Sequence, residues 1–128
     1  MKQQSILYLF LLFFGCNSLL ATAQSTSKES NNDEVLKDSL YNANKRKVLN
    51  FSMKEFDALF FDFFNKKVNP NLLLNKKEFY GYTVKIAAFS DRLASLYPAQ
   101  KETANESKKK WMSETYEDYL LYKASQKK

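Results

Sequence analysis

Between Asn75 and Tyr97 the apolar positions recur at alternating steps of three and four: Phe79, Tyr82, Ile86, Phe89, Leu93 and Leu96, with Tyr97 beside them. At about 100° per residue they fall within an arc of roughly 140°, with Lys77, Asp91 and Arg92 outside it. This spacing predicts a helix with one core-facing side, lying against its partners at a shallow crossing angle.

Amphipathic stretches flank that central helix. In Phe51-Ser52-Met53-Lys54-Glu55-Phe56, Ser52 is placed to accept from the Glu55 amide while Glu55 reaches back, and Phe51 and Phe56 are placed as a staple. A helix is therefore predicted from Met53, with Met53, Phe56, Leu59, Phe60, Phe63 and Phe64 on its buried arc. Phe61 is off this stripe, and the expectation is burial under a third element, with an exposed partner contact as the alternative. Asn69 before Pro70 ends the helix, and Asn75 with Glu78 repeats the cap for the central one. Gly81 costs about 1 kcal/mol relative to alanine inside a helix and suggests a close helix approach. Tyr97-Pro98 closes the central helix.

After a short turn, with Pro98 or Thr103 as the start, a last helix is predicted through Trp111 to Ala124. Its arc holds Trp111, Met112, Thr115, Tyr119 and Tyr122, with Tyr116 at the edge and Glu114, Glu117 and Asp118 facing away. Upstream, Asp33 to Asn50 shows a weaker pattern, with Leu36, Leu40 and Ala43 on one face and Lys47 intruding, so a marginally packed helix is predicted there.

The N-terminus reads as an export segment. Lys2 precedes an apolar run from Ile6 to Phe14, and Ala21-Thr22-Ala23 before Gln24 is a small-x-small cleavage signature. The expectation is a signal peptide over residues 1–23, cleaved between Ala23 and Gln24. Phe13-Phe14-Gly15-Cys16 also resembles a lipobox, in which Cys16 would be lipidated; Gly15 fits that pattern and Phe13 fits poorly. Residues 24–32 are polar and read as a flexible leader, leaving a single domain over 33–128.

Composition then narrows the chemistry. Removing residues 1–23 takes only Lys2 from the 20 basic side chains, leaving 19 against 14 acidic and a net charge of +5. Cys16 is the only cysteine and the chain has no histidine, so the processed protein has no disulfide, no thiol nucleophile and no histidine-based catalysis or metal binding. Gly15 and Gly81 are the only glycines, too few for a phosphate-cradling loop. The remaining acid and base candidates, Asp57 with Asp62 and Glu114 with Glu117 and Asp118, read as solvated helix faces. No catalytic residue, cofactor or metal is expected.

Two binding features remain. Trp111, Tyr116, Tyr119 and Tyr122 form either a core stripe or an aromatic platform for a partner, and Phe61 is a further contact candidate. Lys108, Lys109 and Lys110 lead the basic clusters, as anion contacts or as an ordinary solvated face. Lysine dominates over arginine and the chain reads as exported, so nucleic acid is not the expected partner.

The expected fold is all-α, a small antiparallel helical bundle of three strong helices and a weaker N-terminal one. The expected function is an exported binding or interaction protein without catalysis, of adaptor, inhibitor, immunity or chaperone type. Its partner would be another envelope or secreted protein, with homo-oligomers allowed. The alternative is a lipid-anchored envelope protein, periplasmic or surface-exposed, that binds anionic surfaces.

Overall fold

The computed structural model describes residues 27–127, which form five α-helices, one 3₁₀ turn and no strand. The expected cleavage at Ala23–Gln24 and lipidation at Cys16 lie outside these residues. The helices are α1 (Ser27–Leu49), α2 (Met53–Val68), α3 (Lys76–Leu96), α4 (Lys101–Ser113) and α5 (Tyr116–Gln126), with the 3₁₀ turn Pro98–Gln100 between α3 and α4. None of the described helices is long and apolar enough to cross a membrane.

Both capping boxes form as the sequence predicts. Ser52 Oγ accepts from the Glu55 amide and the Ser52 amide donates to Glu55 Oε1, each at 3.1 Å. Asn75 and Glu78 do the same at 2.8 and 3.0 Å, so α2 and α3 start where their side chains satisfy the first orphaned amides. Asn69 is extended at ψ 114°, as the residue before Pro70 must be, and α2 stops there.

α3 is the centre, and it is buried on more sides than its stripe predicts. Phe79, Ile86, Phe89 and Leu93 are buried as expected, together with Tyr80, Thr83, Val84, Ala87, Ala88 and Ser90, while Leu96 is exposed. A helix buried on more than one side has partners on more than one side, and α1 and α4 both pack along it. The core joins all five helices: Val48, Phe56, Phe60, Phe63, Phe79, Phe89, Ala104, Trp111 and Tyr119 belong to one cluster. Within it Phe56 stacks on Phe89 with ring centroids 4.1 Å apart.

Two expectations need correction. The N-terminal helix is longer than predicted and not marginal: α1 has 23 residues, starts at Ser27 within the stretch read as a leader, and packs against α3. Leu36 and Leu40 pack against the core as predicted, Lys37 and Val48 are the buried positions, and Ala43 is exposed, so the face is the predicted one turned away from Ala43. The last helix is broken: α4 ends at Ser113, Glu114 and Thr115 are extended, and Thr115 Oγ1 caps α5 by accepting from the Asp118 amide at 3.1 Å. The new start comes from the turn after Tyr97, with Pro98 opening the 3₁₀ segment.

Gly81 also departs from expectation. A methyl group added there would meet no atom within 4 Å, so no close approach requires glycine. Gly81→Ala is expected to stabilise the protein by about 0.5–1 kcal/mol through helix propensity alone, read as a higher urea midpoint at unchanged slope. A lower midpoint would show that α1 and α3 close further over this position.

Candidate interaction surface

The aromatic residues singled out in the sequence do not assemble into a platform. Trp111 is buried, edge-on to Phe60 and Phe63 at 6.2 and 5.9 Å. Tyr119 is buried against Phe79, rings stacked at 4.8 Å. Both are core residues, which removes them as partner contacts. Tyr116 and Tyr122 are half-buried, and only Phe61 stands out, on the outer side of α2 at 46 % exposure. The expected burial of Phe61 fails because, among the described residues, no third element covers that side of α2.

The tyrosine hydroxyls do something the periodicity does not reveal. Tyr119 Oη accepts from the Leu74 amide at 2.9 Å and Tyr116 Oη donates to the Leu74 carbonyl at 2.8 Å. α5 thus grips the connection between α2 and α3 by its backbone, and Leu74 itself is buried. On the next turns of α5, Lys123 is buried and its ammonium donates to the carbonyls of Lys67 (2.8 Å) and Asn69, while Gln126 Nε2 donates to the Val68 carbonyl at 3.0 Å. The Lys67 and Val68 carbonyls are at the C-terminal end of α2 and have no partner inside their own helix, so α5 caps α2 from outside, while the Asn69 carbonyl also accepts from the Leu72 amide at 3.2 Å. Burial pushes the Lys123 ammonium below its ordinary pKa.

A second polar network ties the start of α5 to α1 and α3. Tyr80, fully buried, donates to Asp33 Oδ2 at 2.6 Å and accepts from the Tyr116 amide at 2.8 Å. Lys76 pairs with the same carboxylate at 2.9 Å, and Lys37 lies over the Tyr80 ring and donates to the Met112 carbonyl at 2.9 Å. Burial alone would raise the Asp33 carboxyl, but the Tyr80 hydroxyl and the Lys76 ammonium hold it below the ordinary value. Burial and the charge on Asp33 push the Tyr80 phenol far above its own.

With its inner side committed in this way, α5 turns Leu120 and Leu121 outward at 39 % and 65 % exposure, and Leu73 of the α2–α3 connection is 61 % exposed. Leu73, Leu120, Pro70 and Ala124 line an open groove of about 420 Å³ with Lys127 at its rim. A second groove of about 380 Å³ runs past Gly81 between α1 and α3, lined chiefly by Asn44, Asn75, Lys77, Glu78 and Lys85. The apolar ledge is the place where contact with another molecule removes the most hydrocarbon from water. The sequence signals were Leu72-Leu73-Leu74 in a connection and Leu120-Leu121 off the aromatic arc of the last helix.

The lysine trio does not converge on an anion. Lys108 Nζ pairs with both oxygens of Asp91 at 3.2 and 3.1 Å and lies over the Tyr41 ring, Lys109 is exposed, and Lys110 is half-buried. Three consecutive helical residues spread over about 200°, so they cannot share one ligand without loop-like geometry. Among the carboxylates, Glu117 and Asp118 are exposed as expected, whereas Glu114 sits half-buried at the α4–α5 break. Burial pushes its carboxyl up despite the opposing fields of Lys67, Lys110 and Lys37. Among the described residues, no group of three His, Cys, Asp or Glu side chains is placed to hold a metal ion.

No protein-family model, curated protein or solved structure matches the chain.

Proposed function

We propose that the chain is an exported, non-catalytic helical protein that holds another protein on the ledge formed by Leu73, Leu120 and Leu121. The observation that carries this reading is the exposure of those three leucines, 61 %, 39 % and 65 %, on α5 and the α2–α3 connection, which the Leu74–Tyr119 and Lys123–Lys67 hydrogen bonds tie together. Burying one leucine side chain is worth about 1.5–3 kcal/mol, and the fold itself makes no use of that energy here. Export rests on the apolar run Ile6–Phe14 and on Ala21-Thr22-Ala23, with processing before Gln24 or lipidation of Cys16.

The test is affinity capture from envelope extract by the purified chain. One protein is expected to be captured specifically, and at about 1 M salt, where charges are screened beyond about 3 Å, only the contribution of the leucines to its binding remains. It is expected to be lost with Leu73→Asp and with Leu121→Asp, both of which should change stability by less than about 0.5 kcal/mol because the sites are exposed. Equal capture by both variants overturns the reading. The intact mass of the same preparation tests export: a chain starting at Gln24, or a lipid-modified Cys16, supports it, and an unprocessed Met1 form alone overturns it.

A further inference from the structure

The exposed stripe of α5 has an ordered chemistry. Glu117, Leu120, Leu121, Ala124 and Lys127 follow one another at steps of three, one, three and three, and all five are exposed. At 100° per residue they occupy an arc of about 120°. One end is acidic, the middle is apolar, and the other end is basic. Among the described residues neither Glu117 nor Lys127 is in an ion pair. Such a stripe is complementary to itself when inverted: in an antiparallel pair acid meets base at both ends and leucine meets leucine and alanine between them. In a parallel pair like charges would face each other.

We propose that the protein held on this ledge is a second copy of the chain, docked through α5 about a two-fold axis near residue 122, so that Glu117 of each copy meets Lys127 of the other. The proposal rests on the protein-binding reading above and names its partner. The arrangement is isologous, with one patch serving both copies, which closes the assembly at a dimer. Leu120 packs against Ala124 of the second copy, the two Leu121 side chains lie next to each other across the axis, and Leu73 widens the contact at its edge. A helix of 11 residues is about 16 Å long, so the interface belongs to the small class that gives weak, reversible association.

Sedimentation equilibrium of the full chain, expressed with its own N-terminus and purified as the host processes it, tests this between about 5 μM and 1 mM, the range a small interface occupies. Low salt, about 50 mM, keeps the screening length above 10 Å. A reversible dimer is expected. Glu117→Lys and Lys127→Glu should each weaken it at least tenfold, since each places like charges at both ends. An equimolar mixture of the two variants should recover the wild-type dimer, because every new lysine then meets a glutamate. Circular dichroism of each variant confirms that α5 is intact before the comparison is made.

Single variants that dimerise like wild type, or a mixture that stays monomeric, overturn the antiparallel dimer. A wild-type chain that is monomeric throughout overturns it as well. In that last case, continued loss of a captured protein with Leu73→Asp and Leu121→Asp would leave the protein-binding reading standing and assign the ledge to a different protein. Undiminished capture by both variants would remove that reading too.

Discussion

Lys123→Met is expected to destabilise the protein by about 2–4 kcal/mol, a large fraction of what a domain of this size has. Methionine keeps most of the packing but cannot donate. The Lys67 carbonyl then loses the ammonium that satisfies it, in a site where Lys123 is only 7 % exposed, while the Asn69 carbonyl keeps the Leu72 amide at 3.2 Å. An acceptor left without a partner costs about 1–3 kcal/mol, the lost charge-assisted bond to Asn69 adds to it, and the relief of no longer burying a charge offsets part of the sum. Chemical denaturation should show a lower midpoint at unchanged slope. Gln126→Met, which loses the bond to the Val68 carbonyl and the longer contacts of Gln126 with Tyr122 and the Lys123 ammonium, both at 3.2 Å, should cost less, about 1 kcal/mol. A loss below about 1 kcal/mol for Lys123→Met would mean that the cost of burying the ammonium cancels its hydrogen bonds, and that α5 does not cap α2 in the energetic sense.

Tyr80→Phe is the second large effect, again about 2–4 kcal/mol near neutral pH, and it has a pH signature. The substitution removes one oxygen that serves two partners. The Tyr116 amide, first in α5, loses its acceptor, and Asp33 keeps only the Lys76 ammonium. In the folded protein the phenol titrates above its ordinary value of 10.0, so its stabilisation is complete below that pH and is lost as pH rises toward the folded value. The Asp33 carboxyl titrates below its ordinary 3.8, so its share is present above that pH and is lost as pH falls through the folded value. The stability difference between wild type and Tyr80→Phe should therefore form a plateau between those limits and narrow on both sides. Tyr41 and Tyr82, raised by burial and by Asp91 and Asp62, contribute to the alkaline loss in both proteins and cancel in the difference. A difference independent of pH would show that Tyr80 acts through packing and the amide contact alone.

These two residues also mark where reading the chain stops being sufficient. Lys123 and Tyr80 look ordinary in sequence: one is a lysine near a basic end, the other lies beside the predicted stripe of α3. Their partners are 54–56 and 36–47 positions away, respectively. No local periodicity carries that information. Lys37 is the same case on α1, where a cation in a weak pattern proves to be buried because it reaches the Met112 carbonyl and the Tyr80 ring. The break at Glu114–Thr115 follows from these contacts as well. The Met112 carbonyl and the Tyr116 amide are satisfied from outside, so one continuous helix is no longer needed there to pair them.

The candidate surface was legible only in part. Leu120 and Leu121 fall off the aromatic arc of the last helix, which already said that they do not share its core face. Leu73 could not be separated from Leu72 and Leu74, because a connection has no periodicity to sort its neighbours. Phe61 went the other way: its departure from the stripe was visible, and the expectation that something would cover it was not met, since coverage is a property of the whole arrangement.

What the sequence alone determined is everything set by interactions within a turn or two: the all-α class, the starts of α2 and α3 at Ser52 and Asn75, the stops at Asn69 and Tyr97, and the primacy of the helix around Phe89. Capping chemistry and the 3.6-residue period act over three to seven positions, and that is the range over which residue order is itself geometry. Only the tertiary structure decided which lysines and tyrosines lie inside, where the last helix breaks and which leucines face outward. Those outcomes depend on which helix ends come together, and a buried carbonyl or amide accepts whatever donor or acceptor the packing brings to it.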